Sequence, residues 1–104
     1  MQIQVNTDKN VQGGESLAAR VQTKIESALA NFADRITRVE AHLSDQNAVK
    51  GGADMRCVLE ARLAGLQPIA VTHQAESLGV AIDVAVEKLE KAISSALGRL
   101  NDRS

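Results

Sequence analysis

The spacing of apolar residues switches between two periods along this chain, and that switching most constrains its fold. Residues 1–7 place Ile3 and Val5 on one side and polar residues on the other, which is the period of a half-buried strand. Residues 36–44, 54–63 and 69–75 alternate in the same way. Two segments, 15–32 and 78–100, instead carry apolar residues at helical spacing. The predicted order is therefore β-α-β-β-β-α.

Two amphipathic helices cannot bury their apolar stripes alone, so we expect them to cover one face of a four-stranded sheet in an α+β fold. The helical crossover after the first strand predicts a parallel strand pair. Residues 45–53, with Gly51 and Gly52, and residues 64–68 read as hairpin connections, which predict antiparallel pairs. Pro68 stands at the start of the fourth strand, where the missing N–H costs least. The sheet is therefore predicted to be mixed.

Composition narrows the class of protein. The 104 residues predict one domain, 1–104, with Phe32 as its single aromatic residue. The core must then consist of Ala, Val, Leu and Ile, and aromatic stacking on bases is unavailable. The sequence lacks an apolar run of about 20 residues, shows no signal-peptide pattern and has a single cysteine, Cys57. These features predict a reduced, cytoplasmic protein that does not enter a membrane.

The residues that could support metal binding or catalysis are few. Cys57, His42 and His73 lack the paired spacing of a zinc site, so no metal site is predicted. Cys57 is in phase with the core face, where a free cysteine behaves as a small hydrophobe. Gly13 and Gly14 precede a helix without a phosphate-loop lysine, and a flexible connection explains them. We therefore predict a non-enzymatic protein with no cofactor and no small-molecule substrate.

The net charge of −1 argues against a simple RNA-binding domain, since such domains are usually basic. On a helical wheel, however, the charges separate. Acidic residues flank one side of each apolar stripe: Glu15 and Glu26 on the first helix, and Asp83, Glu87 and Glu90 on the second. Basic residues flank the other side and form a candidate phosphate-binding strip: Arg20, Lys24, Lys88, Lys91 and Arg99. The alternative is that these are ordinary solvated charges, with Glu87 and Lys91 forming a helix-surface pair.

Two more arginines are candidates for additional phosphate contacts. Arg35 and Arg38 begin the second strand, and Arg38 is in phase with the open face of the sheet, as are Arg56 and Arg62. Glutamates share that face, so cross-strand ion pairs are the alternative explanation for these arginines.

Three short segments resemble one known family. They are Asp-Arg-Ile at 34–36, the run Glu-Ser-Leu-Gly-Val-Ala-Ile-Asp at 76–83, and Glu-Lys-Leu-Glu-Lys at 87–91. In this order they resemble the ribosome hibernation-promoting factors, also called ribosome-associated inhibitors or sigma-54 modulation proteins. The resemblance covers nearly the whole chain and implies two parallel helices on one face of the sheet. It is to a short, single-domain form without the second, dimerising domain of longer members.

The resemblance also implies a function. In that family, basic residues of both helices contact small-subunit ribosomal RNA in the channel for messenger and transfer RNA. The positions that match basic residues of the family are Lys24, Lys88, Lys91 and Arg99. Family members often carry basic residues where this chain has Ser27, Ser94 and Ser95. The predicted function is inhibition of translation by binding rRNA phosphates of the small subunit, with Arg35 and Arg38 as additional rRNA-binding residues. The alternative is a protein-interaction module of the same fold that has lost ribosome binding.

Overall fold

The computed structural model describes residues 1–46 and 54–102. Its elements confirm the predicted order: β1 Gln2–Thr7, α1 Gly14–Ala28, a 3₁₀ turn Ala30–Phe32, β2 Ile36–Asp45, β3 Met55–Leu63, β4 Ile69–Ala75 and α2 Leu78–Asp102. The hairpin connection predicted at 45–53 falls largely on residues 47–53, which lie outside the described residues.

The four strands form one mixed sheet in the order β1-β2-β3-β4. β1 runs parallel to β2, with Ile3 opposite Val39, whereas β2–β3 and β3–β4 are antiparallel. Helix α1 packs over β1 and beside α2, while α2 covers β3 and β4. Both helices therefore lie on one face of the sheet, and the other face is left open.

The core between helices and sheet is aliphatic. Every buried residue in the described part of the chain is apolar, and no polar or charged residue is buried there. The largest fully buried side chains come from both helices, from the residue that follows α1 and from the two central strands: Ile25, Leu29, Leu43, Leu59, Leu89, Ile93, Val21, Val39 and Cys57. Phe32 is half-buried at the rim of this cluster.

A β-bulge at the start of β2 adjusts the strand to this core. Ile36 pairs with Leu63 but Arg38 pairs with Arg62, so one extra residue, Thr37, is inserted in β2. The Thr37 hydroxyl donates a hydrogen bond of 3.0 Å to the Arg62 carbonyl. Because of the bulge, Ile36 and Val39 both face the core although they are three residues apart.

The prediction that the first helix extends to residue 32 is wrong by one turn. The α-helix ends at Ala28, and the Leu29 N–H makes its last bond, to the Ile25 carbonyl at 2.9 Å. Phe32 N–H then donates to the Leu29 carbonyl, which closes a tighter turn. This turn keeps the spacing that brings Phe32 onto the core. The apolar period alone therefore did not reveal the change from an α-helix to a 3₁₀ turn.

Gly13 sets the start of α1. Its φ of 125° is a conformation that L side chains rarely adopt, and a Cβ there would lie 2.7 Å from the Leu17 Cβ. Gly79, in the first turn of α2, has open space around the position of a Cβ and no positive φ.

These two glycines should respond oppositely to the same substitution. We expect Gly13→Ala to lower the free energy of unfolding by about 1–3 kcal/mol, through backbone strain and the clash with Leu17. We expect Gly79→Ala to raise the free energy of unfolding by up to about 1 kcal/mol, because alanine favours a helix. Urea unfolding of both variants beside the parent protein tests this, and equal shifts would contradict it.

Cys57 lies near the start of β3 with no exposed surface, opposite His73 of β4. Burial favours the neutral thiol and raises the pKa of Cys57 from an ordinary value of 9.0 to about 12. The buried thiol is therefore protonated at physiological pH and is neither a nucleophile nor a metal ligand.

This shift of the Cys57 pKa predicts a loss of stability in alkali. Between about pH 9 and 12 the unfolded chain loses the thiol proton while the folded chain keeps it, so the free energy of unfolding falls as pH rises. The thiol should contribute a loss of about 1.4 kcal/mol between pH 8 and pH 10. Urea unfolding at both pH values measures it, with Cys57→Ala as the control that lacks the thiol. The same pH dependence in both proteins would contradict the prediction.

Candidate nucleic-acid interface

A groove runs between the two helices on the face turned away from the sheet. Its N-terminal half is lined by Arg20 and Lys24 of α1, one helical turn apart, beside Leu78, Gly79 and Ile82 of α2. Its C-terminal half is lined mostly by polar residues: Asn31, Phe32, Glu90, Lys91, Ser94 and Ser95, with Ala28 at the floor. Side chains of both helices therefore line this groove together.

The Lys24 side chain contacts helix α2 across this groove. Its ammonium group forms an ion pair and hydrogen bond with the Asp83 carboxylate of α2. Both side chains are substantially exposed, at 46% and 59%. The pair arises because the acidic flank of α2 faces the basic flank of α1. The basic edge of α1 therefore meets a negative charge instead of extending onto α2.

Lys91 lies further along the groove and is the most exposed of the ion-paired cations. It pairs with Glu87 on the preceding turn of α2 at 3.0 Å, and its side chain is 75% exposed. This is the helix-surface pair that the sequence offered as an alternative. Such an exposed pair contributes about 0.3–0.5 kcal/mol, so the Lys91 ammonium remains available to a stronger anion.

Lys88 and Arg99 lie on the other flank of α2, above β4. The Lys88 ammonium donates to the Thr72 carbonyl of β4, the last strand of the sheet, at 3.0 Å. Arg99 borders a cleft formed by Leu66, Pro68 and Ile69 at the turn before β4. Both side chains therefore point away from α1 and do not line the inter-helix groove.

The five predicted helix residues are thus divided between two places. The groove holds three of them, Arg20, Lys24 and Lys91, and the β4 flank of α2 holds Lys88 and Arg99. The serines that stand where the family often has basic residues also line the groove: Ser27 beside Lys24, and Ser94 and Ser95 beside Lys91. The groove is therefore less basic than the resemblance alone implies.

Asp83 is the groove residue whose role was missed in the sequence. The helical wheel placed it on the acidic flank of α2, but its pairing with Lys24 depends on how the helices are placed side by side. Two parallel helices with the same charge asymmetry always bring one basic flank against one acidic flank. That geometric rule was the signal that would have revealed the pair.

The open face of the sheet carries charges in rows. Arg38 lies opposite Arg62, and Glu40 lies opposite Glu60 in the adjacent row. The ion pairs run along each strand, Arg38 to Glu40 at 3.1 Å and Arg62 to Glu60 at 3.5 Å, rather than across the strands. Arg38 also donates to the side chain of Gln4. The cross-strand ion pairs offered as an alternative do not form among the described residues.

Arg35 and Arg56 complete the basic residues near the sheet. Arg35 is exposed in the turn before β2. Arg56 lies opposite Ser44 and Gln74, and its Nε is buried without a hydrogen-bond partner among the described residues. The open face therefore mixes both signs of charge, which differs from a uniform phosphate-binding surface.

Other kinds of site lack support in the described residues. No group of histidine, cysteine, aspartate and glutamate side chains there could hold a metal ion. His42 is exposed on the open face, whereas His73 is half-buried beside Cys57. Among the described helices, none is both long enough and apolar enough to cross a membrane.

Comparison with known proteins identifies relatives. Solved structures with a similar fold include two that come from bacteria. One is a ribosomal subunit interface protein from Coxiella burnetii, at 16% identity over 94% of this chain and 99% of that chain, with a TM-score of 0.79. The other is the N-terminal domain of Protein Y from Thermus thermophilus, at 21% identity over 89% and 96% of the two chains, with a TM-score of 0.73. At these identities the likeness establishes a shared fold.

No curated protein matches this sequence. The family model described as sigma 54 modulation protein / S30EA ribosomal protein matches residues 3–101, which include all of the candidate rRNA-binding residues and all of the helices and strands except the first residue of β1 and the last residue of α2. The chain therefore belongs to the sigma 54 modulation protein / S30EA ribosomal protein family.

Proposed function

We propose that this protein is a non-enzymatic, cytoplasmic factor that docks on the small ribosomal subunit and inhibits translation by occupying the channel for messenger and transfer RNA. The observation that carries this proposal is the family match over residues 3–101. It is supported by the shared fold of a ribosomal subunit interface protein and of Protein Y. The rigid aliphatic core suits a mechanism in which a preformed domain fills a site.

The helix cations supply the contacts to rRNA phosphates in this proposal. Arg20, Lys91 and Arg99 are exposed, and each can reach a phosphate without leaving a contact with another element of the fold. Lys24 first has to leave Asp83, and Lys88 its carbonyl partner on β4. Arg35 and Arg38 add contacts only where rRNA also reaches the start of β2 and the open face of the sheet.

Phosphate contacts make binding dependent on salt. Five full contacts set the steepest expected slope, about −4, for the logarithm of the binding constant against the logarithm of salt concentration. Affinity should therefore fall by up to about 250-fold between about 50 mM and about 200 mM salt. Co-sedimentation of the purified protein with small subunits at several salt concentrations measures this slope.

One observation favours a second candidate function, a protein-interaction module that has lost ribosome binding. The open sheet face carries adjacent basic and acidic rows around the half-buried Val58. A surface with both signs of charge suits a protein partner better than a polyanion. In this case the sheet face, rather than the helices, contacts the partner.

A pair of charge-reversal variants separates these candidates. We expect the double variant Lys91→Glu/Arg99→Glu to weaken small-subunit binding at least about tenfold and to flatten the salt slope by about 1.5 units. These two residues are chosen because neither contacts another strand or helix through an ion pair among the described residues. Co-sedimentation at matched salt concentrations is the measurement.

The matched control is Lys9→Glu/Arg62→Glu, which makes the same change in net charge at exposed positions away from both helices. We expect it to bind small subunits nearly as well as the parent protein. Equal losses in both double variants would contradict the helix interface. A loss confined to the control variant would favour docking through the sheet face.

A further inference from the structure

The Lys24–Asp83 pair is the one described ion pair that joins the two helices. The other three each connect residues of one strand or one helix. It stands in the N-terminal half of the groove, with Arg20 one turn away and Ser27 and Thr23 alongside. A polyanion that enters this half of the groove therefore meets a lysine that already holds a carboxylate.

The Lys24–Asp83 ion pair can break easily, and it does not hold the two helices together. Both partners are about half exposed, and exposed ion pairs are weak because water and salt screen them. The helices are held instead by the buried aliphatic residues below, such as Val21 and Ile82. Breaking the pair therefore leaves the fold intact while freeing the Lys24 ammonium.

A bound phosphate and the Asp83 carboxylate compete for the same ammonium group. When a phosphate reaches Lys24, it displaces the carboxylate, and the displaced negative charge remains nearby in the groove. Both effects oppose anion binding. The resulting loss of binding free energy does not depend on the sequence of the RNA, since Lys24 contacts only the phosphate backbone.

We infer that Asp83 is an intramolecular competitor for the phosphate that Lys24 binds, and that it sets the affinity and salt dependence of the groove for rRNA. This inference rests on the proposed function and adds a residue, Asp83, that lowers the affinity for rRNA. Asp83 acts through Lys24 and does not itself contact the RNA. The Lys24–Asp83 pair thereby weakens binding to polyanions that make few or dispersed contacts. Tight binding then requires a site that also contacts the remaining cations.

Removing the carboxylate should therefore strengthen binding. We expect Asp83→Asn to increase affinity for purified small subunits about fivefold at low salt. The salt slope should steepen by up to about 0.8 units towards the value for five full contacts, because Lys24 then contacts its phosphate without competition. Asp83→Glu, which keeps the carboxylate, should remain close to the parent protein. The urea unfolding midpoint should be nearly the same in all three proteins.

Two controls separate this mechanism from a change in net charge. Glu26→Gln removes one negative charge from an exposed residue of α1 that forms no ion pair among the described residues, and it should change affinity less than Asp83→Asn. A double-mutant cycle then uses Lys24→Met. If Asp83 acts through Lys24, Asp83→Asn should have no larger effect than Glu26→Gln in the Lys24→Met background.

The outcomes distinguish this inference from the proposed function. If the parent protein and Asp83→Asn bind small subunits with the same affinity and salt slope, the inference is wrong while the proposed function stands. Equal gains from Glu26→Gln and Asp83→Asn would also overturn it, because net charge would then explain the gain. If neither protein binds at any salt concentration, the proposed function fails and the inference falls with it.

Discussion

The aliphatic layer between the helices and the sheet is the interaction on which the rest of this structure depends. With a single, half-buried aromatic residue, the core gains its stability from many small contacts, each buried aliphatic side chain contributing about 1.5–3 kcal/mol. Four alanines with no exposed surface lie on facing elements: Ala41, Ala61, Ala81 and Ala85. Their small size lets α2 approach the sheet closely, which fixes the position of its flanks relative to α1.

Every buried residue in the described part of the chain is apolar, so the charged groups of both helices lie at the surface, where helix placement decides which charges meet. The acidic flank of α2 faces α1, so Asp83 meets Lys24 in the groove while Lys88 and Arg99 are turned towards β4. The protein can thus be nearly neutral and still present cations on two surfaces.

The order of elements and the mixed sheet could be predicted from sequence because period two and period 3.6 are distinct over segments of this length. Local departures from regular strand and helix geometry could not be predicted in this way. The bulge at Thr37 and the tighter turn that ends at Phe32 both preserve the burial of the apolar residues around them. The spacing of apolar residues predicts which side chains are buried. It does not distinguish between the backbone hydrogen-bond patterns that can connect those residues.

The sequence by itself determined the apolar stripes, the aliphatic character of the core and the side of each helix on which its charges lie. These are properties of one element at a time, since they follow from the geometry of a single helix or strand. Only the tertiary structure decided that Asp83 is the acidic residue that meets Lys24, that Lys88 contacts the edge of the sheet, and that Lys91 lies in the groove while Arg99 lies on the β4 flank. Those outcomes depend on which flanks the packing of α1 and α2 brings together, and that packing is set by the buried residues rather than by the charges.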